Sequence, residues 1–225
     1  MSFYSVAIDG PAGAGKSTIA KQAAADFGFI YVDTGAMYRT IGLAARQRNL
    51  DPKDTEAITA MLPEISVTFG YGADGLQHMH LDGVDVNHLI RTPEISMYAS
   101  AVSAIPAVRA YLLNQQRDMA KTQNIIMDGR DIGTVILPDA GLKIFLTASA
   151  ENRAKRRMLE LEQKGEPQPY EEVLADMQKR DYDDTHRAAA PLKAAEDAVL
   201  LDTSDLDLPA SIAAVEALIR ERFSL

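Results

Sequence analysis

Gly10-Pro11-Ala12-Gly13-Ala14-Gly15-Lys16-Ser17 spells G-x-x-x-x-G-K-S, a pattern with few folded solutions. The run Val6-Ala7-Ile8-Asp9 ahead of it is short and apolar, as a buried strand requires, and Ile19, Ala23 and Phe27 behind it recur at helical spacing. Strand, loop and helix in that order make a phosphate cradle. Glycines let the loop aim successive N–H groups at one centre, and the helix adds the positive end of its dipole. Lys16 supplies a mobile charge for the β- and γ-phosphates, and the Ser17 hydroxyl is placed to ligate Mg²⁺. This is the Walker A arrangement of a nucleotide-binding P-loop.

The strand-helix alternation continues. Gly28 follows the first helix where a left-handed residue ends it, a second strand spans Phe29 to Val32, and Asp33-Thr34-Gly35-Ala36-Met37-Tyr38-Arg39 leads into a helix with Met37, Ile41 and Ala44 on one face. Short links between such pairs specify an α/β fold with a parallel central sheet covered on both faces. The rhythm breaks from Ile65, where apolar and polar residues alternate to Phe69, turn through Gly70 to Gly75, and resume at Met79 and Leu81 before a tight Asp82-Gly83 and Val84. That spacing predicts a small antiparallel insertion. A helix follows over about Pro106 to Thr122 with Val108, Leu112 and Gln115 on one side. Further strands are expected at Asn124–Asp128, Leu142–Thr147 and Ala198–Leu201. Ser149 is a candidate N-cap for a helix reaching about Gln163, Lys164 to Pro169 form a turn, a charged helix spans Tyr170 to about Asp184, and an amphipathic helix starts at Pro209. No repeat or low-complexity linker divides the 225 residues, which points to one domain carrying insertions.

With no cysteine there is no disulfide framework, and no segment approaches the about 20 apolar residues of a membrane span. The first residues lack a basic, apolar leader pattern, so a cytoplasmic protein is the expectation. Lys and Arg number 23 against 32 acidic residues, and the net charge of −9 disfavours a broad footprint on nucleic acid. Phosphate must therefore be met by local arginines.

Ligands of open parallel sheets bind beyond the carboxyl ends of the strands, where Asp33, Asp128 and Asp131 all fall. Asp128 suits a Walker B acid acting on the Mg²⁺ shell; a cap in a βα turn is its other reading. Arg39 and Arg130 occur where a second phosphate could face the loop-bound one, and a guanidinium grips phosphate in two places at once. Arg153, Arg156 and Arg157, at i, i+3 and i+4, crowd one side of a helix, and a polyphosphate would relieve their repulsion. Arg180, Asp184 and Arg187 share one face if their helix continues, either as a ligand face or as an ion-pair ladder. Two arginine-bearing helices joined by a Gly/Pro turn resemble a lid that excludes water from a transferring phosphoryl group. His78-x-His80 on a strand reads as a surface hairpin, since no third ligand is near in the sequence.

Taken together, the P-loop, Asp33 to Arg39, Asp128-Gly129-Arg130-Asp131-Ile132-Gly133-Thr134, and Arg180 through Ala190-Pro191-Leu192 resemble the bacterial cytidylate kinases over essentially the whole chain. The resemblance implies a three-layer P-loop fold of residues 1–225 with a monophosphate-binding insertion at 63–100 and a helical lid at 152–187. It implies a monomer that transfers the γ-phosphoryl group of ATP to CMP or dCMP with Mg²⁺, binding neither nucleic acid nor membrane. Gly10, Pro11, Ala12, Gly13, Ala14, Gly15, Lys16, Ser17 and Thr18, with Arg157, would bind ATP, while Leu201-Asp202-Thr203-Ser204-Asp205 would accommodate adenine. Arg39 and Arg130 would hold the CMP phosphate, and Thr34 keeps the hydroxyl that serine often supplies in the family. Ser100, Arg109 and Asp131 would face cytosine beside Gly129, Arg180 and Asp184 the ribose with Arg187 nearby, and Arg153 and Arg157 the transferring phosphates. Lys16, Arg130, Arg153, Arg157 and Asp128 are thus the expected catalytic set, with Asp33 the candidate base by position.

The chemistry of the base agrees with this independently. Cytosine offers an amino donor beside two acceptors, and an Asp, an Arg and a Ser complement it, whereas uracil would set an oxygen against the carboxylate. A P-loop regulatory switch would want D-x-x-G and N-K-x-D, and neither motif occurs.

Overall fold

A computed structural model describes residues 3–72, 77–163 and 165–225. In chain order its elements are β1 (Ser5–Asp9), α1 (Lys16–Phe27), β2 (Ile30–Asp33), α2 (Thr34–Gln47), α3 (Thr55–Met61), β3 (Val67–Tyr71), β4 (Gln77–Leu81), β5 (Val84–Asp85), α4 (Pro93–Ser103), α5 (Pro106–Met119), β6 (Ile125–Gly129), β7 (Leu142–Thr147), α6 (Ala150–Gln163), α7 (Tyr170–His186), β8 (Val199–Asp202) and α8 (Leu208–Phe223). The main sheet has the order β2-β6-β1-β7-β8, and β3-β4-β5 form a separate sheet. The chain divides into two compact units, Met1–Ile30 with Gln123–Leu225, and Tyr31–Thr122.

In the first unit β1 runs parallel to β6 on one side, with Asp9 opposite Gly129, and parallel to β7 on the other, with Ile8 opposite Ile144. Val6, Ala7, Ile8, Ile125, Ile126 and Met127 are all fully buried. Such unbroken apolar runs, without alternation, are what a parallel strand covered on both faces requires. Helix α1 packs on β6 and against α8, and Gly28 ends it with φ 66°, as the sequence predicts. Ser149 Oγ accepts the Asn152 N–H at 3.2 Å, the expected cap of α6.

In the second unit α2 buries Met37, Ile41 and Ala44 and packs on α4. The antiparallel strands appear where alternation places them, and the tight link has Asp82 at φ 52° and Gly83 at φ 82°. The Gly75 end of the expected turn, like Lys164 in the turn after α6, lies outside the described residues. Helix α5 buries Val108, Leu112, Gln116 and Met119, so the face runs through Gln116 rather than Gln115, the heptad step from Leu112 being four residues. Helices α3 and α4 occupy stretches for which the periodicity gives no element. Each has a cap that the sequence does contain: Asp54 accepts from Ala57 N at 3.0 Å, and Thr92 accepts from Ile95 N at 3.2 Å with Pro93 following.

Candidate active site

The P-loop leaves β1 and opens α1. Gly10 stands at φ 151°, where a Cβ would meet the Leu146 carbonyl oxygen at 1.9 Å, so the loop starts hard against β7. Gly15 takes the N-cap position at φ 87° with no side-chain capping bond, which leaves the first amides of α1 to an anion. Lys16 is buried, and its Nζ donates to the Pro11 carbonyl at 2.7 Å. Burial and then the Arg130 charge push its ammonium down to about 7, against the pull of Asp128, Asp9 and Asp184.

Because β6 lies beside β1 in the same direction, the Asp128–Asp131 segment leaves the same end of the sheet as the P-loop. Ser17 Oγ donates to Asp128 Oδ2 at 3.2 Å, which sets Asp128 in contact with the P-loop helix. A hydroxyl and a buried carboxylate are hard oxygen donors, and a site with so few protein ligands suits Mg²⁺ completed by phosphate oxygens and water. Among the described residues no cluster of three metal-ligating side chains competes with it, and His78 is instead paired with Asp85 at 2.7 Å.

Arg130 Nε donates to Asp184 Oδ2 at 2.7 Å, and Arg187 approaches Asp131 Oδ1 at 3.4 Å. Asp184 therefore pairs across elements, with Arg130, in addition to sharing α7 with Arg180. Desolvation works to raise the Asp184 carboxyl, but the Arg130 charge and hydrogen bond, then Arg187 and Arg180, outweigh it and hold it below its ordinary value. Arg187 lies just past the helix, in extended backbone, and its Nε donates to the Ala190 carbonyl at 2.7 Å.

The three arginines of α6 go separate ways, and the expected crowding is answered inside the chain. Arg153 is buried, donates to the Ala148 and Ala12 carbonyls at 2.8 and 3.0 Å, and meets both Asp181 oxygens. Arg156 donates to the Thr203 carbonyl at 2.6 Å, and Arg157 to Glu160 at 3.0 Å. The first thus fastens α6 and α7 to the P-loop, the second reaches the loop after β8, and the third pairs within its own helix.

In the second unit Asp33 caps α2, accepting from Ala36 N at 2.8 Å, while its other oxygen takes Arg39 at 2.8 Å and Arg91 at 3.5 Å. A carboxylate so engaged anchors the arginines. Thr34 begins α2 and is buried; Arg39 Nε is buried without a hydrogen-bond partner. Arg109 donates to the Ser103 carbonyl at 3.1 Å and lies 5.6 Å over the Tyr38 ring, and Ser100 is exposed on α4.

Sequence reasoning passed over three side chains here. Arg91 joins Arg39 on Asp33, Gln77 Oε1 accepts the Asp33 N–H at 2.7 Å, and Asp9 accepts from Ile132 N and Gly133 N at 2.7 Å each. Asp9 carried a readable signal, an acid closing a wholly apolar strand. Burial pushes its carboxyl up to about 6 despite those two amides.

A family model described as cytidylate kinase matches residues 6–221. The cytidylate kinase of Caldicellulosiruptor bescii is 51% identical over 208 residues, covering 92% of each chain. That of Lactobacillus johnsonii is 46% identical over 217 residues, covering 96% of this chain and 94% of its own. A solved structure of an uncharacterized protein from Eubacterium ventriosum aligns over 98% of both chains with a TM-score of 0.50 at 12% identity, which bears on the fold alone. No helix among the described residues is long and apolar enough to cross a membrane.

Proposed function

We propose, from the premise that this chain belongs to the cytidylate kinase family, that it transfers the γ-phosphoryl group of ATP to CMP or dCMP, giving ADP and CDP or dCDP in pyrimidine nucleotide metabolism. The observation that carries the reading is the shared strand end: the P-loop with Lys16, and Asp128 through Asp131, issue side by side from the paired strands β1 and β6. A donor cradle and a second charged loop at one sheet end suit a two-substrate phosphotransferase better than a single-nucleotide switch.

Phosphoryl transfer asks for in-line positioning and neutralised charge, with little covalent help from the protein. Gly10 through Thr18 wrap the ATP phosphates, whose negative charge offsets the burial of Lys16 and favours its ammonium form. Ser17 and Asp128 would hold a Mg²⁺ ion, which when bound would supply further charge neutralisation to the phosphates. Thr34, Arg39 and Arg130 hold the acceptor phosphate, where Arg39 Nε would find the acceptor it lacks. Asp33 orients Arg39 as its anchor. Asp184, Arg180 and Arg187 serve the ribose, and Ser100, Arg109, Gly129 and Asp131 the cytosine ring. Residues 152–187 act as the lid with Arg153 and Arg157, and 63–100 as the monophosphate insertion of a single kinase domain. The enzyme works as a cytoplasmic monomer.

The test is ADP release in a coupled assay with MgATP and CMP, dCMP, UMP, AMP or GMP. CMP and dCMP stimulate turnover above ATP alone; the absence of that stimulation refutes the reading. Arg130→Ala still folds and unfolds cooperatively, with a lowered transition because Asp184 loses its partner, and loses transfer by about a hundredfold or more, the scale of one charge-stabilising group. Asp131→Ala lowers the CMP/UMP preference, and an unchanged ratio removes Asp131 as the base reader.

A further inference from the structure

We infer that Asp9 is a positioning residue for acceptor recognition: by taking the amides of Ile132 and Gly133 from the neighbouring strand, its carboxylate releases Asp131 from capping duty and holds Arg130 and Asp131 in place. The inference rests on the cytidylate kinase reading and deepens it.

Asp131 stands at the N-cap of the short turn Ile132–Ile136, with φ −149°, where an aspartate ordinarily folds its own carboxylate back over the first free amides. It makes no such bond. Those amides go to Asp9, one to each oxygen at 2.7 Å, from a residue 123 and 124 positions earlier in the chain. Asp131 is left to face Arg187 at 3.4 Å, although its own backbone sits closer to the turn than Asp9 does. The chain at Gly133 packs closely on both side chains, since a Cβ there would stand 3.1 Å from Lys143 Cδ and 3.4 Å from Asp9 Oδ2.

Burying a carboxylate at the end of a strand costs free energy that an apolar residue would not, so its retention calls for a geometric task. The task is visible in what Asp9 joins. It is the last residue of β1, directly before the P-loop, and it grips the first two residues after Asp131. One side chain thus fixes the register of the donor loop against the acceptor loop. Both of its oxygens are used, so an amide in its place would turn one acceptor into a donor facing an N–H.

Asp9→Asn is assayed with CMP and UMP beside wild type and Asp131→Asn. The kcat/KM ratio of CMP to UMP falls at least about tenfold in Asp9→Asn, the worth of one hydrogen bond to a charged group, while KM for ATP moves far less. In the double variant Asp9→Asn/Asp131→Asn the ratio is no lower than in Asp131→Asn alone, because the two changes act through one group. Should Asp9→Asn fail to fold, Asp9→Glu carries the same test, keeping the charge but displacing the carboxylate. An unchanged ratio in either folded variant, or additive losses in the double variant, overturns the inference, and so does failure of both single variants to fold. Wild type without CMP-stimulated turnover refutes the family reading instead, whatever Asp9 does.

Discussion

At Gly10 the backbone is held to a path that a side chain would destroy. Its φ of 151° belongs to glycine alone, and the obstacle to a Cβ is a backbone carbonyl, Leu146 O at 1.9 Å, in the strand that pairs with β1. A flexible neighbour could swing aside, but this one could move only with β7. Gly10→Ala therefore costs at least about 3 kcal/mol, read from urea unfolding, and abolishes ATP binding in whatever fraction stays folded. Arg157 marks the other extreme. It is 36% exposed with a partner on its own helix, so Arg157→Ala leaves stability within about 0.5 kcal/mol while slowing transfer; unchanged turnover would remove its guanidinium from the phosphates. Residue identity was easiest to read where chemistry demands a motif, as at Lys16 and Ser17. It was hardest where a side chain serves another: nothing in the spacing of Asp9 and Ile132 announces their hydrogen bond, because parallel pairing of β1 and β6 brings them together across more than a hundred residues.

Helices α6 and α7 form a unit of their own around Ala154, Leu161, Val173 and Met177, flanked by Tyr170 and Leu174. Arg153 ties this pair to the P-loop through the Ala12 carbonyl and to α7 through Asp181, and Met177 lies close to Gly13. Removing the guanidinium orphans a carboxylate and two carbonyls. Because Asp181 is 27% exposed, the loss falls below that of a fully buried pair, and Arg153→Ala lowers the unfolding free energy by about 2–3 kcal/mol. Unchanged stability with lost turnover would mean that Arg153 serves the phosphates alone. At this scale the sequence carried the parallel strands and the antiparallel hairpin well, since buried apolar runs and an Asp-Gly turn are local signals. It was silent on α3, which is only seven residues long, and on α4, where apolar residues such as Met97 also stand on the exposed side and blur the period, although Asp54 and Thr92-Pro93 announced both starts. It left open where the arginines of α6 end, because helical spacing fixes where side chains leave the backbone and says nothing of the partners that long ones reach.

The whole molecule is acidic, with a net charge of −9, so its stability in acid depends on how each buried carboxylate departs from its unfolded value. Asp184 sits below that value and loses its contribution as pH falls through its depressed titration. Asp9 runs the other way. Its proton leaves near 3.8 in the unfolded chain and near 6 in the folded one, burial outweighing the Gly133 and Ile132 amides, with Asp131 raising and Lys16 lowering the balance. Between those values the folded state binds more protons, so the Asp9 contribution grows as pH falls and is lost as pH rises through about 6. Asparagine does not titrate, and groups that do not face Asp9 cancel between the two proteins; Lys16, whose ammonium Asp9 helps to hold, adds an opposing contribution that is confined to the neutral end of the range. Urea unfolding of wild type and Asp9→Asn across this range isolates the effect: the wild-type free energy minus that of the variant is more positive near pH 4 than near pH 7 by up to about 3 kcal/mol. A difference independent of pH would mean that the amides of Ile132 and Gly133 hold Asp9 ionised throughout, with burial fully offset by its two hydrogen bonds.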